Sequence, residues 1–171
     1  MTTAPPPAVE AADRYRRLIA RHLADAQRDP HILGLLVFGS VAAGTARPDS
    51  DLDLLVVLAE HPEPWGVDKF RQQGIAVERF RFTLEHLAQT CASAPYLLHP
   101  FAGARTLYDP EGTVTALLGP LQAYFASHPE VCEVWERHFA THVEDRRLGR
   151  CRPTILDAFR ELTERFAGGV P

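Results

Sequence analysis

Gly39-Ser40 ends one apolar run of the chain, and after ten residues (Val41 to Ser50) Asp51-Leu52-Asp53 opens another. On a strand, side chains two apart share a face, so Asp51 and Asp53 project together while Leu52 points into the core. Carboxylates held side by side repel, and the pair is costly unless a cation sits between them. Hard oxygen ligands of this kind suit Mg²⁺, which is usually held by one or two carboxylates together with substrate phosphates. Gly39 has no Cβ and lets the backbone pass close to a ligand. Ser40 is expected at the N-terminus of a short helix, Val41 to Ala43, where its hydroxyl and the free backbone N–H groups can take a phosphate. The chemistry these residues could do is therefore phosphate chemistry at a divalent cation.

Two strands must hold them. Ile32 to Phe38 is apolar except for Gly34, and Leu54 to Leu58 is apolar throughout. Runs of this length bounded by turn residues read as strands buried on both faces. The segment between them carries Gly44, Pro48, Asp49 and Ser50, which predicts a short helix and a turn. The glycine-serine pair then lies at the end of one core strand and the acids at the start of its neighbour.

The string FGSVAAGTARPDSDLDLLVV resembles the signature of the nucleotidyltransferase superfamily typified by DNA polymerase β. Within it, the string is most similar to the small bacterial branch of aminoglycoside nucleotidyltransferases and minimal antitoxin-type enzymes. The resemblance implies a third carboxylate on a later strand. Ile75 to Phe82 reads as a strand from its β-branched and aromatic content, with Glu78 on the side of Ala76 and Phe80, opposite Val77. Thr83 follows as the N-cap of a helix. The third acid of the aminoglycoside adenylyltransferases has the same offset, so the resemblance assigns that role to Glu78. The alternative is a strand glutamate paired with Arg79 or Arg81 on a wet face. One position departs from the pattern: many relatives have Arg where this chain has Ala43. Arg47 either replaces that Arg at the phosphates or is a solvated turn residue.

The resemblance implies a metal-dependent transfer of a nucleoside monophosphate from an NTP, with ATP the favoured donor, to a hydroxyl acceptor. It implies two Mg²⁺ ions at Asp51, Asp53 and Glu78, with Gly39 and Ser40 binding the nucleotide phosphates. The acceptor is a small molecule such as an aminoglycoside, or a protein side chain. The alternative is a binding or regulatory module that kept the fold and lost turnover.

A chain of 171 residues with 46% hydrophobic and 23% charged residues is an ordinary globular composition with room for a core. The net charge of −4 argues against a broad phosphate-tracking surface for nucleic acid. The three cysteines, Cys91, Cys132 and Cys151, form no C-x-x-C pair and read as thiols of a reducing compartment. No secretory leader and no run of membrane-span length is apparent, so the cytoplasm is the expected setting.

The fold expected is α/β: a small mixed sheet with helices on one side and further helices appended at the C-terminus. Residues 1–7 read as a disordered tail, 8–111 as the nucleotidyltransferase core and 112–171 as a C-terminal helical extension. A helix from about Val9 ends at Asp29-Pro30. His61 to Gly66 reads as a loop in which Trp65 either stacks on a base or covers the core edge, and Pro95 to Pro100 as an irregular apolar loop. Ala104 to Pro110 resembles the short edge strand that closes the family's sheet, with Asp109 in a turn rather than at a metal. Pro120 is expected to kink or break a helix over Thr113 to Phe125. Ser127-His128-Pro129-Glu130 has the pattern of a capping box. In the helix that it opens, His138 and His142 share a face, as zinc ligands do in H-E-x-x-H, but Phe139 stands where that motif needs Glu, so a packing stripe is the expected role. Arg146, Arg147, Arg150 and Arg152 would complement that helix's dipole or reach a triphosphate. Thr154 is expected to cap a last helix, which Gly168-Gly169 ends. With about sixty residues after the core, either the acceptor site is shallow or a second subunit or partner protein completes it.

Overall fold

The computed structural model describes residues 7–147, 154–166 and 168; the tail over residues 1–6, Arg150, Cys151, Arg152 and Gly169 lie outside the described residues, as do the side chains of Arg146, Arg147 and Thr154. The elements in order are α1 (Pro7–Arg28), β1 (Ile32–Phe38), α2 (Gly39–Ala42), β2 (Leu52–Leu58), β3 (Trp65–Gln72), β4 (Ile75–Thr83) and α3 (Leu84–Ser93). A 3₁₀ segment, Pro95–Phe101, leads to β5 (Arg105–Tyr108), followed by α4 (Thr113–Leu118), α5 (Leu121–Ser127), α6 (Pro129–Arg147) and α7 (Thr154–Phe166).

The strands form one mixed sheet in the order β3-β4-β2-β1-β5, with β2 and β4 parallel and every other neighbouring pair antiparallel. Alternation along the central strands sorts the side chains into two buried clusters. Leu35, Val37, Leu52, Leu54, Val56 and Val77 pack with Tyr15 and Leu18 of α1 on one face. Leu36, Leu55, Val57, Phe80 and Phe82 pack on the other face with Trp135 of α6 and Leu162 of α7. β1 and β2 are thus apolar along their length except at Gly34 and Asp53. The helices after the sheet fold back over it and share its core.

Local sequence explains most boundaries. Thr83 caps α3, its Oγ1 accepting from His86 N at 3.2 Å. Pro120 breaks rather than kinks its helix, giving α4 and α5. Asp109 is indeed structural: its carboxylate accepts from the Val114 and Thr115 amides at the start of α4. The capping box does not form. The Ser127 hydroxyl instead turns back to donate to the Ala123 and Tyr124 carbonyls of α5. The loop expected over 95–100 is instead a 3₁₀ segment burying Tyr96, Leu98 and Phe101. Among the described residues no helix is long and apolar enough to cross a membrane.

Candidate active site

Register builds the site. Phe38 of β1 is the partner of Asp53 in β2, Asp53 of Glu78 in β4, and Glu78 of Lys69 in β3. These four residues form one row across four strands, on the sheet face that carries α6 and α7. Neighbours in such a row have Cβ atoms about 5 Å apart. The two acids are central because β2 and β4 run parallel in register, and parity places Leu52 on the opposite face, fully buried.

Two features hold the acids in place. Gly39 has φ +66°, and a Cβ built there would overlap the Asp53 carboxylate and stand 3.2 Å from its Cγ. Glycine is required here twice, for the left-handed backbone and for the space. Tyr15 of α1, 5% exposed, reaches across to the turn before Asp51, its hydroxyl donating to the Arg47 carbonyl at 2.9 Å and the Ser50 carbonyl at 2.6 Å. Burial pushes the Tyr15 phenol up, and the neighbouring Asp49, Asp51 and Asp53 add to the shift. The Ser50 hydroxyl closes the same turn by accepting from the Arg47 amide.

Glu78 is paired with neither arginine. Lys69 Nζ lies 2.7 Å from its Oε1, while Arg79 and Arg81 both donate to Asp68 on the other face. Burial alone would raise Asp68, but those arginine hydrogen bonds outweigh it and hold its carboxyl down.

Gly39, Ser40, Asp51, Asp53 and Glu78 all line one cavity of about 820 Å³. Apolar side chains line much of the rest, from Trp65 and Pro100 and from Phe139, Val143 and Leu156 of the C-terminal helices, together with His99 and His142. The exposed large apolar side chains of the described residues, Trp65, Val143 and Leu156, all line this cavity. Among the described residues, no group of three His, Cys, Asp or Glu side chains is gathered tightly enough to hold a metal ion alone. The carboxylate oxygens that the cavity offers are those of Asp51, Asp53 and Glu78. That fits a hard cation whose remaining ligands are water and phosphate, and does not fit a closed protein cage.

The other candidates fall outside this constellation. Arg47 is an exposed turn residue. His138 bonds Glu161 at 2.9 Å, and His142 lines the cavity without forming a three-ligand centre. Trp65 stacks on Phe82 and meets Phe159 edge-on, so it covers the core edge and also faces the cavity. Two residues that shape the site were not legible beforehand. Tyr15 reads only as a member of an apolar helix stripe. Lys69 lies on β3, which the sequence did not announce as a strand.

Residues 19–93, under half of the chain, match the family model described as a nucleotidyltransferase domain. This stretch includes Gly39, Ser40, Asp51, Asp53, Lys69 and Glu78. No curated protein matches the sequence. Among solved structures, a nucleotidyltransferase-like protein from Exiguobacterium sibiricum 255-15 aligns with 65% of this chain and 38% of its own, at 15% identity and a TM-score of 0.45. A toxin-antitoxin structure with AMP-PNP aligns with 68% of this chain and 94% of its own, at 14% identity and a TM-score of 0.36. The chain thus spans well under half the length of the first of these.

Proposed function

We propose that the chain is a metal-dependent nucleotidyltransferase that moves a nucleoside monophosphate from an NTP, ATP being the favoured donor, to an acceptor hydroxyl. The observation that carries this reading is the in-register pair of Asp53 and Glu78, set beside Gly39-Ser40 in one cavity. Asp51, Asp53 and Glu78 would hold Mg²⁺, and Gly39 and Ser40 would seat the phosphates. Bound as a pair, the ions would neutralise charge on the attacking and leaving oxygens. The acceptor oxygen bonds to the α-phosphorus as the α–β phosphoanhydride P–O bond breaks and pyrophosphate leaves. Glu78 would help to take the hydroxyl proton. The fixed backbone at Gly39 and the Tyr15-clamped turn contribute by holding the carboxylates where charge develops, which is the main source of catalysis in phosphoryl transfer.

The cavity's apolar lining bears on the acceptor. A polycationic aminosugar needs carboxylates of its own, whereas beyond the acids the lining is mainly apolar, with Trp65, Phe139, Val143 and Leu156 beside His99 and His142. This supports a hydroxyl carried on an apolar surface, as on a protein segment, over an aminoglycoside. Incubation with Mg²⁺ and α-labelled NTPs tests the reaction. Label transfer with pyrophosphate release, lost in Asp53→Asn, is expected, and label remaining with precipitated protein would identify a protein acceptor.

A second reading is a catalytically degenerate nucleotide-binding or regulatory module. It is favoured by the engagement of Glu78 with Lys69. Nucleotide binding without transfer to any acceptor would establish it.

A further inference from the structure

The sheet sorts its cations. Arg79 and Arg81 grip Asp68 on one face, leaving Glu78 on the other with the ammonium of Lys69, the chain's only lysine. Lys69 and Glu78 are cross-strand partners, and both line the cavity. Their exposures differ: the lysine side chain is 67% exposed and the glutamate 24%. An arginine could hold the carboxylate through a rigid two-point fork, whereas lysine makes a single-point contact on a flexible stem and can be drawn away.

From this we propose that Lys69 is a positioning residue that occupies Glu78 until nucleotide arrives and so makes divalent-cation binding depend on the triphosphate. The proposal rests on Glu78 being a cation ligand. A cation arriving alone must displace the ammonium from Glu78, and Lys69 is then left beside a second positive charge. A cation arriving with a triphosphate brings anionic oxygens that receive the ammonium. Cation and nucleotide therefore bind cooperatively, and by linkage each strengthens the other by the same factor.

Mn²⁺ binding to the full chain, followed by electron paramagnetic resonance with and without α,β-methylene-ATP, tests this without turnover. In the wild type the analogue should tighten Mn²⁺ binding by about tenfold or more. Lys69→Met should bind Mn²⁺ alone about fivefold more tightly and lose most of the analogue's effect, whereas Lys69→Arg should keep Mn²⁺ alone weak. In a Glu78→Gln background, the Lys69→Met change should shrink to near nothing. Unchanged or weaker binding of Mn²⁺ alone by Lys69→Met would overturn the proposal. If Glu78→Gln still weakened Mn²⁺ binding in the analogue's presence, the ligand role of Glu78 would survive that failure. If Glu78→Gln had no effect there, the ligand role would fall and this proposal with it.

Discussion

Gly39 offers a sharp test of how the carboxylates are held, because the chain supplies its own control. Gly39 and Gly44 have nearly the same left-handed backbone, φ +66° and +72°. An alanine at either position costs about 1–2 kcal/mol in backbone conformation. For a chain of this size that corresponds to a fall in Tm of about 2–8 °C. The surroundings differ. Nothing lies within 4 Å of a Cβ on Gly44, while one on Gly39 would overlap the Asp53 carboxylate. Gly39→Ala must therefore move that carboxylate by about 1 Å, a displacement that can cost about 100-fold in rate.

The expected outcome is a similar Tm loss in both variants, with activity lost only in Gly39→Ala. Thermal melts and pyrophosphate release at saturating NTP and acceptor measure the two quantities. Mn²⁺ affinity in the presence of a non-hydrolysable nucleotide should weaken in Gly39→Ala alone. If both variants keep wild-type turnover, the glycine does not set the Asp53 position. If both lose turnover equally, the effect belongs to the backbone of the whole turn and not to the carboxylate, and the argument fails.

Asp53→Asn removes the central charge of the row and should lower transfer about 1000-fold, the loss of several kcal/mol of charge stabilisation, while circular dichroism remains that of a folded chain. Glu161 ties α7 to α6, with Arg137 at 2.6 Å and His138 at 2.9 Å; the Arg137 hydrogen bond is the largest cause holding its carboxyl at about 2, against a normal 4.5. A depressed carboxyl contributes stability that is fully present above pH 4.5 and is lost as pH falls through about 2. Glu161→Gln should therefore cost about 1 kcal/mol at pH 7 and nothing near pH 2, as read from urea unfolding at the two pH values. Trp135 is fully buried and donates from Nε1 to the Tyr96 carbonyl at 2.8 Å. Trp135→Phe should cost about 1–3 kcal/mol by leaving that carbonyl unpaired. Trp135→Ala should cost about 3–5 kcal/mol through the cavity as well.

What could be read from the sequence follows from how each element is buried. β1 and β2 are covered on both faces, so they appear as unbroken apolar runs, and the acid pair is conspicuous where one run begins. β4 shows itself through Ile75, Val77, Phe80 and Phe82, which are buried. β3 has no such signal: none of its eight residues is buried, and its polar positions satisfy partners on β4 that only the register reveals. That register is set by the two-residue Gln73-Gly74 turn, with φ 52° and 78°, where glutamine stands in place of the usual asparagine or aspartate. With the strand unread, Lys69 could not be placed beside Glu78. The failed capping box at Ser127 has a similar origin, since a hydroxyl between two helices can serve either and sequence alone does not say which.

The same alternation that hides Lys69 explains why the acids must be held so firmly in register. A slip of one residue in β4 would exchange Glu78 for Val77 or Arg79 on the α6–α7 face. With Arg79 beside Asp53, the row would be neutralised and its attraction for a cation lost. Two independent features oppose that slip. Val77 and Phe80 are buried on opposite faces of β4, so either shift would expose one apolar set and bury charge. Arg79 and Arg81 are both bound to Asp68, which keeps the guanidinium groups on the side away from the acids. Asp68 thus adds to the lock from the other face, without touching the candidate active site. Replacing it with asparagine should weaken both arginine pairs while leaving the apolar lock in place. A modest loss of stability with little change in Mn²⁺ affinity is the expected result. A large loss of Mn²⁺ affinity would mean that the arginine grip, and not the apolar packing, is what keeps the row in register.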